Sequence, residues 1–378
     1  MKRSIASLCA VVTLGAVTQF SQAADTIKIG MIAESTGANA EAGIYQINGA
    51  KLAVEEINKA GGVLGKQVEL KVEDNQSTNP GSVLALSKLT SGGDMTALIG
   101  TVRSTQIQAM SPTLQKTGLP MMIGGTDYGL THANNPWLFR ARPNDGYSAK
   151  VIAEYGVSTL KLKKWAIVHS TDSFGNGGKT HLTNALKALG VTPVTVQGFT
   201  SNSQDMTPVV LAIKQSGADI VSTYIANSTD VAIFAKQLRQ LGVNAAWVGS
   251  PSVSTDTAMK LAVEALYDTY SIADFAVASS AEAGAYDKKY KEKYKLDADL
   301  YSAWAYDAVN LLALAINNAK SAKPDDIKKA LHAIKDYKGV EGSYQFDKNG
   351  DGLHGYNIVK NEKGKIVFIK HIDFKPEN

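Results

Sequence analysis

Six short segments bring hydroxyls, amides and bare backbone together: DNQSTNP (74–80), GTVRST (100–105), GGTDYG (124–129), HSTDSFG (169–175), IANSTD (225–230) and GSPSVST (249–255). Each follows an apolar run. Groups of this kind can hold a small polar molecule by hydrogen bonds. At any single loop they can equally serve as helix caps, the commonest use of Ser, Thr, Asn and Asp before a helix. Six such loops together favour a polar cleft, with capping contributing to each.

More specialised chemistry does not fit. Asp347-x-Asn349-x-Asp351-Gly352 begins like a calcium loop. Its twelfth position is Ile358, where a bidentate Glu is needed, so the segment reads as a turn. Gly178-Lys179-Thr180 ends like a phosphate loop, but the spacing requires a glycine at Ser173. There is no GxSxG elbow and no HExxH pair. His132, His169, His181, His332, His354 and His371 are scattered, with no close ligand pair. An enzyme would need a convergent nucleophile, base or metal set, and the sequence offers none. No cofactor is implied.

The elements that position the loops alternate. TIKIGMIA (26–33) is apolar and β-branched. Residues 43–60 have helical period, with Ala50, Ala53, Val54 and Ile57 on one face and Gly61-Gly62 as a C-terminal cap. QVELKVED (67–74), MTALIG (95–100), LPMMIG (119–124), WAIVHS (165–170), DIVSTYIA (219–226) and AAWVGS (245–250) read as strands. Helices are expected over 81–89 and 105–117. Alternation of this kind predicts parallel sheets covered on both faces, with ligands beyond the carboxyl ends of the strands.

The chain has 378 residues, 44% hydrophobic and 20% charged, which suits two medium-sized lobes. A net charge of +4, scattered along the chain, argues against a nucleic-acid partner. Residues 1–23 read as a secretory signal peptide: Lys2 and Arg3, an apolar run over 5–17, then Ser21-Gln22-Ala23. Leu8 before Cys9 argues against a lipid-modified start. Cleavage after Ala23 would remove the only cysteine, leaving no thiol nucleophile, thiolate metal site or disulfide.

Residues 29–76, from IGMIAESTG through NKAGGVLGK to VEDNQ, resemble the opening of the leucine/isoleucine/valine-binding family of periplasmic solute-binding proteins. So do LFRARPND (138–145), VHSTDSFGNGGK (168–179) and FDKNGD (346–351). The resemblance implies an α/β fold of two Rossmann-like lobes, with parallel sheets joined by three hinge crossings. The crossings are expected near 142–146, 272–275 and 346–352. One lobe would combine 24–143 with 275–346, the other 146–272 with 350–378. The implied protein is a monomeric periplasmic receptor that delivers a small molecule to the membrane permease subunits of an ABC importer.

The resemblance also implies a site. Ser104 and Thr105 match a Ser/Thr pair that holds the ligand carboxylate at a helix start, where free N–H groups and positive partial charge favour an anion. Gly124, Gly125 and Thr126 match the next loop. Phe174 matches an aromatic that closes over the ligand from the other lobe; it can also be read as rim packing. Asn227 and Ser252 match polar contacts of the opposing lobe. Arg103 reads either as a carboxylate partner or as a solvated loop charge. Two positions depart from the leucine-binding pattern. There is no acidic residue near Pro251 and Ser252 to meet an ammonium group; Asp256 is the first carboxylate. Ala42 stands where those relatives carry an aromatic. The ligand is therefore either an amino acid or an aromatic acid, amide or urea, and the fold would also serve a sensor that presents its ligand to a membrane receptor.

Overall fold

Apart from one small hairpin, the strands of the described residues form two separate sheets. In the computed structural model, which describes residues 26–377, the first sheet contains β1 (Ile27–Ala33), β2 (Val68–Asp74), β3 (Ala97–Ile99), β4 (Met121–Ile123) and β5 (Leu138–Arg140). The signal peptide expected over 1–23 lies outside the described residues. The order is β2-β1-β3-β4-β5 and every pairing is parallel. Four helices connect these strands: α1 (Ala40–Lys59), α2 (Asn79–Thr90), α3 (Ser104–Thr117) and α4 (Gly129–His132).

Side chains alternate across a strand, and β1 uses both faces. Ile27, Ile29, Met31 and Ala33 join one core and Ile32 the other. Helices α2 and α3 supply Leu86, Ile107 and Met110 to the second of these cores.

The chain then crosses to a second unit. Its elements are α5 (Asp145–Glu154), β6 (Trp165–Ser170), α6 (Ser173–Ala188), β7 (Thr195–Phe199), α7 (Thr207–Ser216), β8 (Ile220–Tyr224), α8 (Ser228–Gln240), β9 (Ala246–Gly249), α9 (Asp256–Ala262) and β10 (Tyr270–Ala273). Trp165 and Ile167 face a core shared with α5 and α6; Ala166 and Val168 face one shared with α7 and α8.

Three helices follow: α10 (Ala281–Tyr294), α11 (Leu300–Ala319) and α12 (Pro324–His332). They return to the first sheet, where α11 packs along α1. The approach is close enough that a Cβ on Gly49 would lie 2.0 Å from the Ser302 carbonyl oxygen. Only glycine fits there. A small hairpin, β11 (Tyr337–Lys338) and β12 (Ser343–Tyr344), leads into β13 (Gly355–Glu362) and β14 (Lys365–Asp373). These last two add antiparallel to the second sheet, giving β14-β13-β10-β9-β8-β6-β7.

The segments that cross between the sheets are tied to one another. Arg140 pairs with Asp351 through Nε at 2.8 Å, with both side chains fully enclosed. Arg142 pairs with Asp274, and Asn357 donates to the Asp274 carbonyl at 2.9 Å. Asp351 is thus committed to an arginine. Asp347 accepts from the amides of Asn349 and Asp351, the geometry of a turn.

Candidate ligand-binding cleft

The carboxyl ends of the parallel strands of both sheets open on one cavity of about 230 Å³. Ser77 and Asn79 reach it from the loop after β2, residues 102–106 from that after β3, and Thr126 from that after β4. Across the cleft come Asp172 and Phe174 after β6, Ser201 and Asn202 after β7, Asn227 after β8 and Ser252 after β9. Leu300 and Tyr301, which open α11, complete one wall.

The loops divide between capping and lining. Thr78 caps α2 by accepting from Gly81, and Asp172 caps α6 by accepting from Gly175 at 2.8 Å. Helices α3 and α8 start at Arg103 and Asn227 without a side-chain cap. Both starts line the cavity. The first amides of a helix have no partner within it and carry positive partial charge, so these two ends are suited to an anion or a polar ligand atom.

The two lobes are closed on each other. The Thr105 hydroxyl accepts from the Ser173 amide at 3.2 Å, and the Ser173 hydroxyl donates to Asp127. Arg103 spans the cleft, donating to the Ala226 carbonyl on the far side and to Asn39 Oδ1 at 2.8 Å on its own. Farther out, the Tyr45 hydroxyl donates to Asp256 at 3.2 Å. Burial, with the nearby Asp299 and Asp256 charges, pushes the Tyr45 phenol well above its ordinary range. Arg103 is therefore part of the closed cleft and not a solvated loop charge.

Seven of the nine residues singled out in the sequence line the cavity: Arg103, Ser104, Thr105, Thr126, Phe174, Asn227 and Ser252. Gly124 and Gly125 do not. Their carbonyls accept from Arg142 at 2.9 Å and Arg140 at 3.0 Å. A Cβ on Gly124 would meet the Trp304 ring at 2.7 Å, and one on Gly125 would meet Ile107 at 2.5 Å. These glycines let the loop pack tightly beneath the cavity. Phe174 lines the cavity and rests against Tyr224, ring centroids 5.7 Å apart.

The model family described as periplasmic binding protein matches residues 26–365. The chain belongs to the periplasmic binding protein family. A Leu/Ile/Val-binding protein of Rhizobium johnstonii is 30% identical to it over 350 residues, covering 90% of this chain and 93% of that one. The branched-chain amino acid transporter substrate-binding protein of Streptococcus pneumoniae, solved with isoleucine, is 27% identical with a TM-score of 0.84, covering 93% of this chain and 100% of that one. A leucine-binding protein of Thermotoga maritima shares the fold at a TM-score of 0.86 and 22% identity, covering 92% and 99%.

Several lining residues of this binding protein escaped sequence reasoning. Asp172 is the important one. The missing carboxylate near Ser252 had weakened the case for an amino acid, and Asp256 does not replace it, being engaged with Tyr45 and Lys260. Asp172 supplies a carboxylate from a different loop of the same lobe. Its oxygens accept from Gly175 and from the Ser201 hydroxyl at 3.1 Å, leaving further lone pairs. Asn227 stands nearby in the wall. Its Nδ2 faces Asn202 Oδ1 at 3.2 Å and the Asp230 carboxylate at 3.4 Å. The side-chain oxygen of Asn227, Oδ1, is thereby left as an acceptor.

Proposed function

We propose that this chain is the periplasmic receptor of an ABC importer and binds a small amino acid, branched-chain in the first instance, between its lobes. One observation carries the ligand class: the closed cavity has anion-binding groups on one wall and a carboxylate on the other. Ser104, Thr105 and Arg103 lie at the start of α3, and Asp172 faces them from the second lobe. A zwitterion satisfies both walls; an ammonium group without such a partner would be costly to bury. The volume of about 230 Å³ is below the range of about 300–1,000 Å³ typical of drug-sized ligands, which suits a solute of a few heavy atoms. The relatives that bind leucine, isoleucine and valine support the same reading.

The lobes proposed are 24–143 with 275–346 and 146–272 with 350–378, and the three tied crossings between them act as the hinge. A ligand that touches both walls favours the closed form through its differential contacts. The permease subunits of the importer are the proposed membrane partners, and the receptor works as a monomer.

Calorimetric titration with L-leucine, L-isoleucine and L-valine tests the reading. Binding of at least one is expected; binding of benzoate or urea with none of the three overturns the amino-acid assignment. Thr105→Val keeps the shape of the side chain and removes its hydroxyl. It is expected to weaken binding roughly ten- to a hundredfold, the equivalent of about 1.5–3 kcal/mol for a hydrogen bond to a charged group. Part of that loss is weaker closure, because the same hydroxyl accepts from Ser173 across the cleft. Wild-type affinity in this variant would place the carboxylate elsewhere.

Export is tested separately. N-terminal sequencing of the periplasmic fraction should begin at Ala24 or Asp25. An intact Met1 on the soluble protein would contradict cleavage.

A further inference from the structure

Gln106, in the first turn of α3, is 4% exposed and lines the cavity. Its orientation follows from a chain of hydrogen bonds that starts at a backbone amide. The Ser77 N–H donates to Asn75 Oδ1 at 2.8 Å. A backbone N–H can only donate, so that side of Asn75 must be its oxygen. Asn75 Nδ2 then donates to Gln106 at 3.0 Å, so the atom that receives it is Oε1. The Thr101 hydroxyl lies 3.1 Å from the same oxygen. Turning the Gln106 amide over would set its nitrogen against the Asn75 nitrogen, two donors facing each other in a buried place. Asn75 and Thr101 are both fully enclosed.

The carbonyl of Gln106 is therefore held inside the protein. Its Nε2, with two N–H donors, donates to no protein group among the described residues. Thr101 is fixed in turn by the enclosed Glu34, whose other oxygen accepts from Gln46 at 2.9 Å. The single Thr101 proton goes to that carboxylate, so the Gln106 carbonyl is oriented by Asn75, and one pair of donors is left at the cavity wall.

We infer that Gln106 is a specificity-determining residue that donates from Nε2 to an oxygen of the bound carboxylate, and that Asn75 positions it. The inference deepens the proposed function and rests on its carboxylate ligand, with Ser104 and Thr105 on the same helix turn holding the rest of that group. It explains why the loop after β2 is so polar: Asn75 turns a helix residue of the next crossover toward the ligand. Ligands that present a hydrogen-bond donor at this point are rejected, because two donors then oppose each other.

The test is calorimetric titration of the mature chain, Gln106→Met and Gln106→Glu, with L-leucine and benzoate as probes. Gln106→Met removes the donors in a side chain of similar length. It is expected to weaken the carboxylate that the wild type takes by roughly ten- to a hundredfold. Gln106→Glu keeps an oxygen toward Asn75 but turns the other toward the ligand oxygen, so it is expected to bind more weakly than Gln106→Met. A purely structural role predicts the reverse, since Glu preserves the shape and the bond from Asn75. Gln106→Glu binding as tightly as wild type, or wild-type affinity in Gln106→Met, overturns the assignment. Benzoate binding without leucine overturns the amino-acid reading, and the same variant comparison on benzoate still decides Gln106. A wild type that takes neither probe removes the carboxylate on which both rest.

Discussion

Asp172→Asn is expected to weaken amino-acid binding by roughly thirty- to several-thousand-fold, the equivalent of about 2–5 kcal/mol for truncating one partner of a buried, hydrogen-bonded charge pair. The substitution isolates charge from architecture. Asp172 is the N-cap of α6 and accepts from the Gly175 amide. Asn caps a helix about as well as Asp, so its Oδ1 can keep that bond and the helix start should hold. What disappears is the negative charge facing the start of α3. A ligand without an ammonium group serves as the control. For 4-methylpentanoate, the carbon skeleton of leucine lacking its nitrogen, the variant should bind at least as well as the wild type, because the charge it removes had no partner there. Leucine affinity unchanged in Asp172→Asn would show that the ammonium group is met elsewhere. Equal losses for both ligands would point to damage at the α6 start and not to charge recognition.

The contrast between Asp172 and Ser252 shows how far a sequence can be read toward a site. The polar loops after the strands were legible because apolar β-branched runs and turn residues are local signals, and parallel sheets place such loops at one edge. Strands β1 to β4 and the helix expected from Thr105, one residue after its observed start, follow from the same period, whereas the three residues of β5 are too few to show one. Position matching carried the pattern to Ser252 and there found no carboxylate. It could not show that the Asp172 side chain would come to the same cavity, since an Asp before a helix reads first as a cap. Asp172 is a cap as well as a wall residue. Arg142, Leu300 and Tyr301 were invisible for another reason. They reach the wall through a crossing segment and through a helix far along the chain that packs back on α1. Gly124 and Gly125, matched to a loop of the family, lie outside the cavity lining: their carbonyls are taken by two buried arginines and their missing side chains make room for Trp304 and Ile107.

Those arginines lead to the largest stability effect expected in the molecule. Arg140 and Asp351 are completely enclosed where the first and third crossings meet, and the backbone pairs there too: Arg140 donates to the Gly350 carbonyl at 2.8 Å and accepts from Gly352 at 3.0 Å. Asp351 is further bound by Asn144 at 2.7 Å and by the Thr131 hydroxyl at 2.9 Å. Removing one partner of such a pair leaves a buried charge uncompensated, so Asp351→Asn should lower stability by about 3–5 kcal/mol at neutral pH. Denaturant unfolding should show this as a lower midpoint. Acid distinguishes a lost charge pair from a lost shape. Burial alone would push the Asp351 carboxyl up, but the Arg140 charge and the hydrogen bonds from Asn144, Arg140 and Thr131 outweigh it and hold the group below its ordinary value. With the folded value lower than the unfolded one, the contribution is complete above the unfolded pKa, about 3.9, and drains away as pH falls through the folded one. Wild type should therefore lose stability below about pH 4, a loss that Asp351→Asn lacks at this site, and the two curves should converge in acid. A change below about 1 kcal/mol at neutral pH, the size of an exposed pair, would mean that the crossings are held by their backbone bonds alone. Parallel curves down to low pH would mean that Asp351 matters for its shape and not for its charge.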